Sequence, residues 1–302
     1  MRITEGILER SRLVRTWWAS ALKPRVDSSM TDRNDKDRGQ LLSVLQSQAK
    51  VCGVDSKSSV LVIGASKDDL DLLMHAGFSD ITLSNVSDLQ IDDSVPRLKL
   101  NAQSIDLPDE AYDLVFAHAV LHHCRSPHLA LCEMLRVSRR YVLFLEPHDS
   151  WFMRLLIKTR FSFPYEIPAV VDNGFICGGV DDSQIPNFIY RWNENEVFKA
   201  VSSYMPERRF LCHVLPYWDF YVNEKDLDLR KQTRIGAITS IIGTRNLVRL
   251  LRCTQSFLNL LPPLRSQGNK VLVAIVKEKQ LWPWLRAESR EVVFNREFAN
   301  TN

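Results

Sequence analysis

The chain has 302 residues, of which 45% are hydrophobic and 25% charged, a composition typical of a folded globular protein and not of a disordered or fibrous one. Its 39 basic and 36 acidic residues are spread along the whole sequence, so the net charge of +3 gives no basis for expecting nucleic-acid binding. Six cysteines without a C-x-x-C pair exclude a cysteine-based zinc or redox motif, and we expect free thiols in a reducing cytoplasm.

Residues 1–38 are predicted to form an N-terminal helical extension and a linker. Apolar side chains recur at helical spacing from Ile7 to Leu22 with basic residues between them, and the polar run VDSSMTDRNDKDR follows at 26–38. Two interpretations of this helix remain open: it docks on the following domain, or it makes a peripheral contact with an anionic membrane. The stripe is too interrupted for a cleaved signal peptide, and no apolar run reaches the roughly eighteen residues of a membrane-spanning helix.

Short apolar runs alternate with helical patterns between residues 58 and 147. The predicted strands are Val60–Ile63, Ile81–Leu83, Arg97–Leu100, Tyr112–Ala117 and Tyr141–Leu145, with helices at Asp68–Ala76 and Pro127–Val137. This alternation predicts an α/β fold with a doubly wound, mostly parallel sheet. Such sheets bind their ligand at the carboxyl ends of the strands.

The alternation stops after Pro147 and resumes near residue 193. Prolines, aromatic residues and the Gly178-Gly179 pair predict an irregular cap over residues 148–192. A helix at Glu194–Tyr204, an apolar run at Phe210–Leu215, a long helical region at Asp226–Leu261 and a last strand at Lys270–Val276 follow. The apolar side chains within 246–261 either pack on the sheet or form a surface that faces a lipid-linked substrate.

Two stretches of the chain carry a more specific signal. They are SVLVIGASKDDLDLLMHAGFSDITLSNVS, residues 59–87, and LNAQSIDLPDEAYDLVFAHAVLHHCRSPHLALCEMLRVSRRYVLFLEP, residues 100–147. In this order they resemble the class I S-adenosylmethionine-dependent methyltransferase family, and in particular its type 11-like members. The resemblance implies a seven-stranded Rossmann-like methyltransferase fold and S-adenosyl-L-methionine as the cofactor.

On this resemblance we expect one elaborated methyltransferase-like domain over residues 39–280. It comprises a cofactor-binding half at 58–147, a cap insertion at 148–192 and a C-terminal half at 193–280, and residues 281–302 form a tail. The resemblance also implies cofactor contacts at the first four strand ends. These residues are Gly64, Ala65, Ser66, Asn85, Asn101, Ala102 and His118.

The cofactor loop departs from the family pattern. Only the first glycine of the loop is kept, because Ser66 and Asp68 stand where further glycines are usual. After the second and third strands, Asn85 and Asn101 replace the family's carboxylates. Two hypotheses follow. Either these polar side chains rebuild the pocket with other donors and acceptors, or the domain is a non-catalytic scaffold that binds a partner protein.

Methyl transfer from a positive sulfonium is an in-line displacement, so the protein mainly aligns the acceptor and removes its proton. The candidate catalytic residues follow the fourth and fifth strands: Glu146, His148 and His122. The alternative for His122 is local hydrogen bonding. No third ligand completes the spacing of His118 and His122 or that of His128 and Cys132, so we expect no metal.

The second half of the chain gives a signal for the acceptor. The segments FPYEIPAVVDN, NFIYRWNENEVFKAVSSY and GNKVLVAIVKEKQLWPWL resemble methyltransferases of bacterial polysaccharide and glycolipid biosynthesis. This implies transfer to a hydroxyl of a small molecule or of a glycan or glycolipid precursor. The side chains that either line such an acceptor site or pack the cap are Tyr165, Glu166, Tyr190, Arg191 and Trp192.

Two other enzyme classes are excluded by the first loop and by the absence of a nucleophile motif. A nicotinamide-dependent dehydrogenase needs G-x-G-x-x-G after the first strand, where this chain has GASKDD. A Ser/His/Asp hydrolase needs a nucleophile elbow such as G-x-S-x-G, which the sequence lacks.

Overall fold

The computed structural model describes residues 54–87, 94–220, 234–289 and 291–300, together with Leu42 and Gln46. The predicted N-terminal helix and linker, residues 1–38, lie outside this part of the chain, as do residues 226–233 of the predicted long helical region. Among the described residues, no helix combines the length and the apolar character needed to cross a bilayer.

Seven strands form one mixed sheet. They are β1 (Val60–Ile63), β2 (Ile81–Asn85), β3 (Arg97–Lys99), β4 (Tyr112–His118), β5 (Ser138–Pro147), β6 (Arg208–Tyr217) and β7 (Lys270–Leu281). Their order across the sheet is β3-β2-β1-β4-β5-β7-β6. Strands β1 to β5 pair in parallel, whereas β7 runs antiparallel to both of its neighbours. The predicted doubly wound, mostly parallel seven-stranded sheet is confirmed, with β7 as its reversed strand.

The described helices connect and flank these strands. They are α1 (Lys67–His75), α2 (Pro127–Val137), α3 (Trp151–Lys158), α4 (Ile167–Asp172), α5 (Glu194–Tyr204), α6 (Arg234–Ile242), α7 (Thr244–Leu260), α8 (Pro262–Arg265) and α9 (Arg296–Asn300). Short 3-10 turns occur at Leu121–His123 and Val180–Asp182. The segment assigned to the C-terminal tail contains a hairpin of β8 (Leu285–Glu288) and β9 (Glu291–Phe294), followed by α9.

The sheet is buried on both faces because helices cover each of them. Leu73 of α1 packs in one cluster with Phe116 of β4. Leu131 of α2 and Val197 of α5 pack on the opposite face with Val115, the preceding residue of β4. Since successive strand residues point to opposite faces and both are buried here, the middle of β4, Leu114–Ala117, is a continuous apolar run and does not alternate with polar residues.

The carboxyl ends of the central strands lie level with one another. Ile63 of β1 is in register with Ala117 of β4, which is in register with Phe144 of β5. The next residue along each of β1, β4 and β5 therefore lies at one edge of the sheet. In parallel α/β sheets this edge forms the ligand-binding crevice.

The long helical region predicted for Asp226–Leu261 is interrupted near its middle. Helix α6 ends at Ile242 and α7 begins at Thr244, with Gly243 between them at a φ of +80°. A right-handed helix cannot continue through that conformation, which glycine adopts without a steric penalty. The apolar periodicity continues across the break, so it does not reveal the turn.

The segment predicted as a cap, residues 148–192, begins and ends at the same place. The N–H of Trp192 donates to the carbonyl of Pro147, and the N–H of Asp149 donates to the carbonyl of Trp192, each at 2.9 Å. Within the segment, Tyr165 and Phe188 form an isolated antiparallel bridge. The cap is therefore a closed insertion rooted at the carboxyl end of β5, beside the site.

Candidate functional site

The loop after β1 needs a glycine at its first position. Gly64 has a φ of +61°, and a Cβ added there would lie 2.5 Å from Cγ2 of Val120 in the loop after β4. The next residue, Ala65, is buried and donates its N–H to the carbonyl of Ser84 at 2.9 Å. The absent side chain of Gly64 thus leaves room for a neighbouring loop of the protein, which the sequence alone did not indicate.

Ser66 and Asp69 close the start of α1 with a capping box. The N–H and the hydroxyl of Ser66 donate to Oδ2 of Asp69 at 2.9 and 2.6 Å, and Oγ of Ser66 accepts from the Asp69 N–H at 3.3 Å. The other carboxylate oxygen of Asp69 accepts from Nδ1 of His118 at 2.9 Å. Asp69 therefore ties α1 to the end of β4, a role that our candidate set missed although the S-x-x-D spacing of residues 66–69 is a capping signal.

The two asparagines at the edge direct their carbonyl oxygens to local backbone. Oδ1 of Asn85 accepts from the N–H of Val86 at 2.7 Å, and Oδ1 of Asn101 accepts from the N–H of Gln103 at 2.9 Å. The amide NH₂ groups are left as donors, whereas a carboxylate would offer acceptors only. Ala102, next to Asn101, is buried.

The predicted cofactor residues all lie at the carboxyl edge of β1 to β4. Gly64 to Ser66 follow β1, Asn85 ends β2, Asn101 and Ala102 follow β3, and His118 ends β4 with its ring partly exposed. The amide donors suit the hydroxyl groups of a nucleoside. These residues fit a nucleoside-containing cofactor, with amides in place of the family's carboxylates.

Glu146 fixes the loop that follows β4. Its side chain is fully buried, and Oε1 accepts from the N–H groups of Val120 and Leu121 at 2.8 and 2.7 Å. Oε2 accepts from Nδ1 of His122 at 2.6 Å. Ala119 in the same loop has a φ of +56°, an unusual conformation for a residue with a side chain. With both oxygens engaged, Glu146 acts on the site by holding this loop in place.

His122 also joins the loop to the cap. Its Nε2 lies 3.1 Å from Oε2 of Glu166, and Nε2 of the neighbouring His123 lies 3.4 Å from the same oxygen. The amide of Asn187 donates to this oxygen at 3.2 Å and to the His122 carbonyl at 3.0 Å. Sequence spacing could not find this cluster, because Glu166 and Asn187 come from the cap, far along the chain.

Opposing effects set the pKa values in this cluster. Burial lowers the pKa of His122, but the carboxylates of Glu146 and Glu166 outweigh it and raise the pKa to about 9. Burial raises the pKa of Glu166, but His122 outweighs that effect and lowers it to about 2. Burial, and then the positive charge of His122, lower the pKa of His123. At neutral pH, His122 is therefore an imidazolium between two carboxylates.

Residues 38–144 match the family model described as a methyltransferase domain. This stretch of the chain is therefore similar to methyltransferase domains, as the resemblance to the class I family implied. The match includes every predicted cofactor residue. It ends one residue before Leu145, which is buried near the end of β5. S-adenosylmethionine is the methyl donor of this family, and the resemblance read from the sequence is confirmed.

Solved structures similar to the chain include a SAM-dependent methyltransferase of Thermotoga maritima described as a possible histamine N-methyltransferase. The identity is 13% and the TM-score 0.42, over 81% of this chain and 96% of that one. The YcgJ protein of Bacillus subtilis gives 13% and 0.42, over 78% and 98%. A SAM-dependent methyltransferase of Archaeoglobus fulgidus gives 13% and 0.39, over 78% and 94%. No curated protein matches the chain.

The third catalytic candidate, His148, has different contacts from Glu146 and His122. Its Nδ1 donates to the carbonyl of Gly268 at 2.9 Å, and its backbone pairs with Trp192. Burial lowers the pKa of His148 below its usual value. The imidazole is therefore neutral at pH 7, and because Nδ1 carries the proton, Nε2 is the nitrogen with the lone pair and has no hydrogen-bond partner among the described residues.

The five aromatic and charged cap residues divide into two groups. Trp192 is fully buried, Tyr190 donates its hydroxyl to Glu196, and Arg191 donates to the carbonyls of Ile189 and Phe163. These three residues pack the cap. Tyr165 and Glu166 remain accessible, and Tyr165 stacks edge-to-face on Phe188 with ring centroids 5.6 Å apart.

Proposed function

We propose that this protein transfers the methyl group of S-adenosylmethionine to a hydroxyl of a small molecule, and specifically of a glycan or glycolipid precursor. The observation that carries the proposal is the position of His148, a neutral histidine whose Nε2 has no hydrogen-bond partner in the described part of the chain. It follows β5, next to the strand ends that hold the predicted cofactor residues. A hydroxyl acceptor needs such a base, because its proton must leave as the new C–O bond forms.

The cofactor would be held by the residues at the ends of β1 to β4. The backbone of Gly64 to Ser66 would approach its methionine part, and the amides of Asn85 and Asn101 would donate to its nucleoside hydroxyls and base. When bound, the cofactor supplies an electrophilic methyl group on a positively charged sulfur. Glu146 supports this arrangement by holding the loop at Ala119–His122 against the β1 loop.

His148 would accept the proton of the acceptor hydroxyl at Nε2. The carbonyl of Gly268 holds the ring by its Nδ1–H, which fixes the tautomer needed for this task. Glu146 and His122 are poorly suited to the same role, because both oxygens of Glu146 and both ring nitrogens of His122 already have partners. We assign these two residues to positioning the loop.

A lipid-linked acceptor is supported by the surface of α6 to α8. Residues 234–265 contain five arginines and no acidic residue. Several apolar side chains here project into solvent: Ile241 is 82% exposed, Leu260 75%, Phe257 57% and Leu250 53%. Exposed apolar and basic side chains on one helical segment match an anionic membrane surface. A domain seated there would meet an acceptor that is anchored in the bilayer.

The direct test is methyl transfer from S-adenosylmethionine carrying a labelled methyl group. The purified protein is incubated with glycolipid extracts and with soluble glycan fractions, and the label is followed into alkali-stable ether products. We expect incorporation that falls at least about 100-fold in His148→Gln, the low end of what a general base contributes. His128→Gln, a surface histidine paired with Glu196, is the matched control and should keep full activity.

A non-catalytic scaffold that binds a partner protein is the second candidate. One observation favours it: the N–H and hydroxyl of Ser66 are used by the capping box, and the carbonyl oxygens of Asn85 and Asn101 bond to local backbone. Fewer polar groups then remain for a ligand. Absence of label transfer to every acceptor fraction, together with absence of cofactor binding, would support this candidate.

A further inference from the structure

Three side chains that could bind a metal converge where the cap meets the loop after β4. They are His122 and His123 from the loop and Glu166 from the cap, and their ligand atoms lie within 4.8 Å of one another. Nε2 of His122 and Nε2 of His123 approach the same carboxylate oxygen, at 3.1 and 3.4 Å. Two imidazole nitrogens and one carboxylate oxygen lie close together here, so the cluster differs from a group of acidic side chains alone.

These separations match the edges of a zinc coordination shell. Ligands about 2.0–2.1 Å from a tetrahedral zinc ion lie about 3.3–3.4 Å from one another. The two distances from His122 and His123 to Glu166 are close to this size, and all three ligand atoms lie within 4.8 Å of one another. Glu166 and His123 are partly exposed, which leaves the site reachable from solvent.

Each of the three side chains also has a hydrogen-bond partner outside the trio, which restrains its orientation. The Nδ1–H of His122 donates to buried Glu146 at 2.6 Å, the carboxylate–histidine pattern that fixes the tautomer of a metal-binding histidine. The ring of His123 hydrogen-bonds to the backbone of Gly179. The amide of buried Asn187 donates to Glu166, while Oδ1 of the same amide is buried without a hydrogen-bond partner among the described residues.

We propose that His122, His123 and Glu166 bind one divalent cation of the zinc class, with a fourth position open to solvent. Two imidazoles and one carboxylate favour zinc, cobalt or nickel over magnesium and calcium, which prefer oxygen ligands. In the metal-free protein the Nε2–H of His122 donates to Glu166, and on binding the ion would take the place of this proton, which is released to solvent. Our expectation of no metal rested on local spacing, which cannot register a ligand from the cap.

The ion would clamp the cap onto the loop that Glu146 positions. Glu166 immediately precedes α4, so a bond from the ion to its carboxylate would fix that part of the cap. A role for the ion in polarising an acceptor hydroxyl rests on the proposed methyl transfer; binding of the ion does not. Metal binding is therefore measured without cofactor or acceptor, so that failure of one proposal can be told from failure of the other.

The test uses the full chain without a polyhistidine tag, stripped with a chelator and titrated with Zn²⁺ by calorimetry and with Co²⁺ by visible absorption. We expect one equivalent to bind and Co²⁺ to give the intense bands of a tetrahedral site. His123→Gln and Glu166→Gln each remove a ligand and should weaken binding at least about 100-fold, the upper end of the effect of losing an outer-shell partner.

His128→Gln is the matched control, because Nε2 of His128 lies 3.3 Å from Glu196 in a surface pair outside the cluster. It should bind Zn²⁺ and Co²⁺ like the wild-type chain. Circular dichroism of each variant establishes that it is folded. Wild-type protein without stoichiometric binding, or equal affinity in wild type and folded Glu166→Gln, would overturn the proposal.

Discussion

At the scale of single residues, the contact between Gly64 and Val120 joins the loops after β1 and β4. Gly64→Ala places a methyl group 2.5 Å from Val120 Cγ2 and holds alanine at a positive φ. We expect a loss of about 1–3 kcal/mol from overpacking and about 1 kcal/mol from the backbone conformation. Urea denaturation of the purified variant measures the sum.

The double variant Gly64→Ala/Val120→Ala separates these two effects. Removing the Val120 methyl groups should relieve the overpacking but not the backbone strain, which gives an interaction free energy of about 1–3 kcal/mol in a double-mutant cycle. Val120→Ala alone supplies the fourth corner of the cycle. Additive free-energy changes would show that the two side chains do not compete for space.

His148 gives the residue-scale prediction for pH. Because burial lowers its pKa below the usual value of 6.5, the base form is present throughout the neutral range. Methyl transfer should therefore be flat above pH 7 and should fall as the pH drops through the folded pKa, below 6.5. The rate-against-pH profile of the wild-type enzyme tests this, and a rate that still rises from pH 7 to 9 would contradict the assignment.

The lowered pKa of His148 also makes the free energy of unfolding depend on pH. Below pH 6.5 the unfolded chain protonates His148 while the folded chain resists, so folding is destabilised as the pH falls. Above pH 6.5 the histidine is neutral in both states and contributes no pH dependence. We expect acidification to lower the free energy of unfolding less in His148→Gln than in wild type. Denaturation of both proteins above and below pH 6.5 measures this difference.

At the scale of elements, the capping box at the start of α1 determines how that helix leaves the cofactor loop. Ser66→Ala removes the hydroxyl that exchanges hydrogen bonds with Asp69, and an N-cap change of this kind costs about 0.5–2 kcal/mol. Ser240→Ala on α6 is the matched control. Among the described residues its hydroxyl bonds to the Gly236 carbonyl within the helix and to no other group, so stability should be unchanged or slightly higher.

The elements themselves were largely predictable from local patterns. Strand β1 and helix α2 have the predicted limits, because buried apolar runs and a Ser-Pro helix start are local signals. The break at Gly243 was missed, since apolar periodicity continues on both sides of it. The position of β7 between β5 and β6 depends on pairing between strands more than a hundred residues apart along the chain, as with Leu145 and Leu272.

The positions of the predicted cofactor residues could be found from the sequence, because these residues follow the ends of strands. All seven predicted cofactor residues lie at the expected edge, because strand ends are a local property. The roles of Glu146 and His122 were not predictable, since they depend on hydrogen bonds to Val120 and to Glu166 in the cap. Contacts of this kind leave no spacing signal in one sequence.

At the scale of the whole molecule, the basic and apolar surface of α6 to α8 predicts binding to anionic vesicles. Leu250→Ser/Leu260→Ser removes two exposed side chains, and burial of a leucine contributes about 1.5–3 kcal/mol. We expect the partition coefficient measured by co-sedimentation to fall more than about tenfold. Val292→Ser/Phe294→Ser, which changes exposed side chains on β9, is the matched control and should bind normally. Equal binding of both double variants would place the membrane contact elsewhere.

The central claim is that amide side chains replace the family's carboxylates in a working S-adenosylmethionine site. Titration calorimetry of the wild-type chain, Asn85→Asp and Asn246→Asp with S-adenosylmethionine tests it most directly. We expect saturable binding to one site, with Asn85→Asp about fivefold tighter because a hydrogen bond to a charged acceptor is stronger by about 1 kcal/mol. Asn246→Asp on α7 should match wild type. No saturable heat at millimolar cofactor in either wild type or Asn85→Asp would contradict the claim and leave the scaffold hypothesis.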